Sequence, residues 1–157
     1  MKKNQKGFSL IELLIVVAII LIIAAIAIPN LLKSRMAANE ASAVGSLRTI
    51  NTAEVTYASN CPAQGFAASL TELNTGATCT AGKDLLDNVL GAAAPKKSGY
   101  TFTYTAPTDT PGTNYSVLAD AQTQNTSGIR SFFTNESAVI HYKSPGPGAT
   151  KTDPALQ

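Results

Sequence analysis

The stretch that most constrains this chain is the run from Phe8 to Ile28, in which Ser9 and Glu12 are the only polar side chains. About 20 apolar residues are enough to cross a bilayer as an α-helix. Three lysines precede the run, and the sequence that follows it is more polar. The chain is therefore predicted to have an apolar N-terminal helix followed by a water-soluble domain.

Four roles for this helix are open: a plain transmembrane anchor, a cleaved secretory signal, a core helix, or a segment that leaves the bilayer to pack against copies of itself. A core helix is unusual at an extreme N-terminus beside a lysine cluster. A secretory signal normally has an apolar region of about 7–15 residues, although Ala25-Ile26-Ala27 has the small-residue pattern of a cleavage site. In the membrane roles Glu12 needs a partner, because an ionised carboxylate in hydrocarbon costs roughly 2.5–3.5 kcal/mol.

The lysine-rich leader, the sequence GFSLIE from Gly7 to Glu12 and an apolar run that ends at Pro29 resemble the class III leader of type IV pilins and type II secretion pseudopilins. The resemblance implies that a prepilin peptidase cuts after Gly7 and N-methylates the new first residue, Phe8. It also implies that Glu12 is the assembly glutamate. The amine created at Phe8 would then be its partner, on the same or a neighbouring subunit, and a buried carboxylate is tolerable when it is paired.

The lysines Lys2, Lys3 and Lys6 predict which side of the membrane each end occupies. By the positive-inside rule the N-terminus is cytoplasmic and the rest of the chain lies outside the cytoplasm. The resemblance implies a single-pass protein of the inner membrane that later enters an extracellular pilus on the cell surface. Its implied partners are the prepilin peptidase, the pilus assembly machinery and other copies of the chain in a helical homopolymer.

The sequence departs from the family in one respect, because the glycine often found midway along the apolar run is replaced by residues such as Leu21. Pro29 removes one backbone donor and clashes with the carbonyl four residues earlier. A helix kink is therefore predicted at Pro29.

Residues 31–58 are predicted to continue the helix, since good helix formers dominate and the next proline is Pro62. Residues 8–30 would form its apolar half and residues 31–58 an amphipathic half, giving about 50 residues in all. The apolar residues on one side of a 3.6-residue wheel in the second half are Leu32, Met36, Val44, Leu47, Ile50 and Tyr57.

Residues 59–99 are predicted to connect the helix to a sheet. Ser69 and Glu72 have the spacing of a capping box, which predicts a short helix, and a second is predicted over 84–90. Cys61 and Cys79 are the only cysteines. In an oxidising compartment they predict a structural disulfide worth about 3 kcal/mol, because a redox C-x-x-C pair and a four-ligand zinc set are both missing from the sequence.

From Tyr100 the hydrophobic period changes from 3.6 to 2. Tyr100-Thr101-Phe102-Thr103-Tyr104-Thr105 alternates aromatic and threonine side chains, which predicts a half-buried strand. Three further strands are predicted at 115–119, 129–133 and 138–142. They predict an antiparallel sheet of about four strands over residues 100–143, followed by a flexible tail at 144–157. The predicted fold class is α+β, a long N-terminal helix packed on a C-terminal sheet, as in the pilin fold.

Enzymes are not indicated by this sequence. His141 is the only histidine and lies in a predicted strand, and no Gly-rich phosphate loop is present. Asp84 and Asp87 are one helical turn apart, but a solvated helix face explains them. No metal or cofactor is predicted. No specific nucleic acid is predicted either, because the side-chain charge is only +2, and about −1 once the three leader lysines are removed.

Two classes of function remain. The first is a structural subunit of a type IV pilus, with a type II secretion pseudopilin as the alternative within the same class. Such pseudopilins typically carry an acidic calcium-binding loop late in the chain, whereas only Glu136 and Asp153 are acidic after Asp120. The second class is a monomeric membrane-anchored binding module, in which Glu12 would have no partner.

Overall fold

The computed structural model describes residues 8–156, so the predicted leader 1–7 and its cleavage glycine, Gly7, lie outside the described residues. The chain divides into two units, Met1–Arg35 and Met36–Gln157. We call the second unit the head. Helix α1, Leu10–Asn60, contributes its first part to the N-terminal unit and its second part to the head.

Helix α1 includes Pro29 within its length, so the helix does not end at the proline. The kink remains a prediction. The helix ends at Asn60, two residues beyond the predicted boundary. Helical backbone angles are unfavourable for the next residue, Cys61, because it directly precedes Pro62.

The second part of α1 forms one layer of the head. On its predicted apolar face, Met36, Leu47, Ile50 and Tyr57 are buried and Val44 is half-buried. The amphipathic pattern is therefore confirmed in the head. The buried positions recur every three or four residues, which is the spacing that keeps side chains on one side of a helix.

The other layer of the head is an antiparallel sheet of five strands in the order β1-β2-β3-β4-β5. Its strands are β1 Lys96–Lys97, β2 Tyr100–Thr105, β3 Ser116–Ala121, β4 Ser131–Asn135 and β5 His141–Lys143. The α+β class is confirmed. Strand β2 has the predicted bounds, and the other three predicted strands appear with shifted ends.

Strand β1 was not predicted, because two lysines carry no strand signal. It forms through the turn at Ser98 and Gly99, whose φ values are 49° and 73°. Positive φ at both central residues is typical of the two-residue hairpin turns that match strand twist. The turn pairs Lys97 with Tyr100 and thereby adds a short edge strand.

The alternation predicted for β2 is confirmed. Tyr100 and Phe102 are buried and Tyr104 is half-buried, whereas Thr103 and Thr105 are exposed. These aromatic side chains pack with α1 in one core, which also includes Leu47, Ile50, Tyr57, Leu73, Val117 and Phe132.

Between α1 and the sheet, α2 spans Leu70–Thr75, with the Ser69 side chain accepting from the Glu72 amide as the capping box predicted. The helix predicted over 84–90 is wrong. Asp84 has a φ of 58°, and the Asp87 side chain accepts the amides of Val89 and Leu90 at 3.1 and 2.7 Å. Such side-chain bonds to the backbone favour a turn over a helix.

The segment predicted as a flexible tail, 144–157, lies along the sheet as far as it is described. The Leu156 amide donates to the Ile140 carbonyl at 2.7 Å, and the Tyr142 amide donates to the Pro154 carbonyl at 2.9 Å. Ala149 is buried and its amide donates to Ser131 Oγ. The composition did not indicate this, because the pairing depends on the outer edge of β5, whose backbone groups need partners.

Candidate functional site

The N-terminal unit presents a continuous apolar surface. Every large apolar side chain from Phe8 to Leu32 is between 40 % and 83 % exposed, with Phe8 the most exposed of them. By length and composition, α1 could cross a membrane. Burying one such side chain is worth about 1.5–3 kcal/mol, so this surface needs a cover of lipid or protein.

Glu12 lies in the first turn of α1, and its Oε2 accepts the backbone N–H of Ser9 at 3.0 Å. This is half of a capping box, in which the third helical residue reaches back to the cap. Its sequence signature is a serine followed three residues later by a glutamate, here Ser9-Leu10-Ile11-Glu12. The carboxylate also lies at the helix N-terminus, where the helix dipole favours a negative charge.

Phe8 and Glu12, the two described residues predicted for processing and assembly, line the same surface groove together with Ile15 and Val16. Pro29 lies well apart from them on α1 and is exposed. The structure thus brings together the carboxylate and the residue that would carry the new amine.

The predicted disulfide is present in the head. Cys61 and Cys79 are bonded, with their Cα atoms 6.2 Å apart. Cys61 directly follows α1 and Cys79 directly precedes the short 3-10 helix Thr80–Gly82, so the bond holds the connecting segment to the end of α1.

Three buried glutamates, which the sequence analysis missed, hold the head together. The first is Glu40 of α1, whose Oε1 accepts the amides of Ile129 and Arg130 at 2.9 and 3.0 Å. Its Oε2 lies 2.8 Å from Arg130 Nε. Burial acts to raise the pKa of Glu40, but these hydrogen bonds and the Arg130 charge outweigh it and hold the pKa below its ordinary value.

The second is Glu72 of α2, which holds the loop around the disulfide. Its Oε1 accepts the amides of Thr78 and Cys79 at 2.7 and 3.3 Å and the Tyr57 hydroxyl at 3.2 Å. Burial acts to raise the pKa of Glu72, yet these donors lower it overall. The glutamate therefore stays an anion surrounded by hydrogen-bond donors.

The third is Glu54 of α1, which is fully buried. It contacts the Ala67 amide at 3.0 Å and the Tyr104 hydroxyl at 2.8 Å. Burial raises the pKa of Glu54 to about 7, and its two hydrogen bonds offset only part of that rise. The sequence could have indicated this role, because Glu54 lies among the apolar positions of α1 and a carboxylate on a buried helix face requires hydrogen-bond partners.

Neither of the polar features weighed for catalysis forms a site. His141 Nδ1 donates to the Asp153 carbonyl at 2.7 Å, which is a structural contact. Asp84 lies in a turn and Asp87 directly precedes one, so the two carboxylates do not share a helix face. Within residues 8–156, no group of three or more His, Cys, Asp or Glu side chains is placed to hold a metal ion.

Comparison with known proteins bears on the N-terminal part of the chain. The family model of the prokaryotic N-terminal methylation motif matches residues 2–28. The type IV wide pilus major component PilA4 of Thermus thermophilus is 66% identical over 38 residues, and the type IV major pilin protein PilA of Myxococcus xanthus is 48% identical over 54 residues. The N-terminal segment is similar to those of type IV pilins.

The pilin relationship rests on a limited length of sequence. The two matches cover 24% and 34% of this chain, and 29% and 24% of the respective relatives. No solved structure matches. The resemblance to the type IV pilin family is confirmed by the motif and the relatives, and the long helix with an antiparallel sheet is consistent with the pilin fold. Type IV pilins are structural subunits, in agreement with the prediction that this chain is not an enzyme.

Proposed function

We propose that this chain is a structural subunit of a type IV pilus. Its apolar segment would hold it in the inner membrane, with the N-terminus cytoplasmic, until it polymerises through that segment into an extracellular filament. The observation that carries the proposal is the exposed apolar surface of residues 8–32.

This surface is too large to be left in water. In the membrane, lipid covers it, and after extraction only other protein can do so. Identical copies staggered in a heterologous helical array bury such a surface without closing into a ring. The two relatives support the proposal, since both bear the names of major pilus components.

Processing would supply the partner that Glu12 lacks in a filament core. A prepilin peptidase would cut after Gly7 and methylate the amine of Phe8. The methylation motif spans Gly7, Phe8 and Glu12. Phe8 and Glu12 line one groove, so an amine created at Phe8 would lie in the region of the carboxylate. In an array, pairing between the Phe8 amine and a Glu12 carboxylate of the same or a neighbouring subunit would offset the cost of burying the charge.

The first test is the mass and sequence of the mature N-terminus from cell-surface material. N-methylated Phe8 supports prepilin processing. A start at Ile28 would mean a conventional signal peptide and a secreted domain, and an intact Met1 on surface material would mean a plain anchor. Either of these two outcomes contradicts the proposal.

The second test is Glu12→Ala, examined by electron microscopy of surface filaments and by membrane fractionation. We expect filaments to be lost while the protein remains in the membrane. Glu136→Ala, which removes an exposed carboxylate of the head, is the matched control and should still assemble. Normal filaments in the Glu12→Ala strain would favour the monomeric anchored module.

A third test removes the apolar segment. A chain starting near Leu31 is expected to be soluble and monomeric, because it lacks the surface that drives assembly. Filaments formed by this shortened chain would contradict assembly through the N-terminal helix.

A further inference from the structure

Glu54, Tyr104 and Ala67 form a closed set of contacts inside the head, joining α1, β2 and the segment that follows α1. Glu54 Oε2 lies 3.0 Å from the Ala67 nitrogen, and Glu54 Oε1 lies 2.8 Å from the Tyr104 hydroxyl. The same hydroxyl lies 2.7 Å from the Ala67 carbonyl oxygen. The backbone N–H of Ala67 is thus bound by Glu54, and the backbone C=O of Ala67 is bound by Tyr104.

Counting hydrogens in this set identifies the protonation state that fits it. A carbonyl oxygen can only accept, and a tyrosine hydroxyl has one hydrogen to give. If Tyr104 donates to Ala67, the contact between Tyr104 and Glu54 is a hydrogen bond only when Glu54 carries a proton and donates it. With an ionised Glu54, one of the two short contacts would join two acceptors with no hydrogen between them. The neutral carboxyl completes the ring.

Burial is what favours the neutral form of Glu54, and no cation among the described residues is paired with it. Tyr104 of β2 contacts Glu54 directly, and the ring of Tyr115, the residue before β3, stacks on Tyr104 with the ring centroids 6.2 Å apart. Tyr57 of α1 donates to Glu72, a carboxylate of α2. Burial raises the pKa of Tyr57, and the charges of Glu72 and Glu54 both act to raise it further. Burial raises the pKa of Tyr115, and the charges of Glu54 and of Glu136, which follows β4, raise it further. The salt bridges within residues 8–156 are Lys97–Asp87 and Arg130–Glu40, so neither neutralises Glu54.

We propose that Glu54 is a proton-controlled latch, which in its neutral form fastens the segment around Ala67 to α1 and β2 and releases that segment when the proton is lost. The neighbouring contacts define what the release would loosen. The Phe66 amide donates to the Gly112 carbonyl at 2.9 Å, and the Phe66 ring packs edge-on against Tyr115 at 4.8 Å. The segment around Ala67 is therefore joined directly to the loop between β2 and β3, so its release would also loosen that loop.

The direction of the pH effect follows from the raised pKa of Glu54. Because the folded chain binds this proton more tightly than the unfolded chain, the stabilisation is complete below pH 4.5, the ordinary pKa, and is lost as the pH rises through about 7. The head holds this segment more firmly in acid than at alkaline pH. The latch lies wholly within the head, so it is independent of the filament proposal.

The test is amide hydrogen exchange at Ala67 in the full-length chain held in detergent, with rates corrected for intrinsic pH dependence. Between about pH 5 and about pH 8.5 we expect protection in the wild type to fall on the order of tenfold or more. In Glu54→Gln the side-chain amide can donate to Tyr104 and its oxygen can accept from Ala67, as in the neutral acid. Its protection should change by less than about twofold.

Glu72→Gln is the matched control, because it replaces another buried glutamate of the head and should keep the wild-type pH dependence. Wild-type protection that is equal at both pH values would overturn the proposal, as would a Glu54→Gln chain with the wild-type response.

If Glu54→Gln does not fold, infrared spectroscopy of the wild type tests directly whether Glu54 is protonated. A neutral-carboxyl band that vanishes as the pH rises through neutral, and that shifts in Tyr104→Phe, supports the latch. The absence of such a band at acid pH overturns it.

Discussion

Arg130 Nε lies 2.8 Å from Glu40 Oε2, and the other oxygen of the same carboxylate accepts the amides of Ile129 and Arg130. These residues directly precede β4, whereas Glu40 lies in α1. One side chain therefore attaches the start of a central strand to the helix. The Arg130 side chain also lies over the rings of Phe132 and Tyr142, which holds the guanidinium in place.

Replacing Glu40 by Ala is expected to lower the free energy of unfolding by about 2–4 kcal/mol, since two backbone N–H groups and a guanidinium lose their acceptor. Denaturant unfolding of the full-length chain in detergent measures this. Glu136→Ala, at an exposed position, is the control and should change stability by less than about 0.5 kcal/mol. Equal stabilities for the two variants would contradict the role given to Glu40.

Stability should depend on pH through Glu40 and Glu54 in opposite directions. The lowered pKa of Glu40 means that its contribution is present above pH 4.5, its ordinary value, and is lost as the pH falls through the folded value. The contribution of Glu54 is complete below pH 4.5 and is lost as the pH rises through about 7. Stability is therefore expected to be highest near about pH 5 and to fall by up to about 3 kcal/mol toward about pH 8.

Unfolding titrations at several pH values measure this profile. The Glu54→Gln chain should lose the decline on the alkaline side and keep the decline on the acid side. A wild-type chain whose stability is constant from about pH 5 to about pH 8 would disagree with a buried proton on Glu54.

Removing the disulfide with Cys61→Ala and Cys79→Ala together should cost about 3 kcal/mol, because the bond closes a loop of 18 residues and restricts the unfolded chain. Thermal or denaturant unfolding of the double variant, compared with the wild type under oxidising conditions, gives the value. Reductant should destabilise the wild type by a similar amount and leave the double variant unchanged. A double variant as stable as the oxidised wild type would contradict this.

Two glycines should respond to Ala substitution with opposite signs. Gly65 has a φ of 73°, and a Cβ there would collide with the backbone of Gly112. Hydrogen bonds from the Phe66 amide to the Gly112 carbonyl and from the Gly112 amide to the Gln64 carbonyl prevent the two segments from separating. Gly65→Ala should therefore destabilise the head by at least about 2 kcal/mol.

Gly45 is the counterpart, because it lies on the exposed side of α1 and a Cβ would meet nothing within 4 Å. Gly45→Ala should stabilise the chain by about 0.5–1 kcal/mol, since Ala loses less backbone freedom in a helix. The same unfolding measurement serves both variants. A gain in stability for Gly65→Ala, or a loss for Gly45→Ala, would contradict the packing described.

The sequence by itself determined the features that depend on neighbouring residues. The apolar run after the lysines predicted the exposed N-terminal helix, and aromatic and threonine side chains in alternation predicted β2. Cys61 and Cys79 were the only possible pair for a disulfide within the chain. The motif from Gly7 to Glu12 was enough to predict the resemblance to type IV pilins.

Only the tertiary structure decided the partners of the buried polar groups. Glu40 contacts Arg130 and Glu54 contacts Tyr104, at separations of 90 and 50 residues. The same holds for the last described residues, which pair with the edge of β5 in spite of a composition typical of a loose tail. Hydrophobic periodicity is a local property of the chain, whereas a buried carboxylate or an unpaired strand edge requires hydrogen-bond partners that folding brings from distant parts of the sequence.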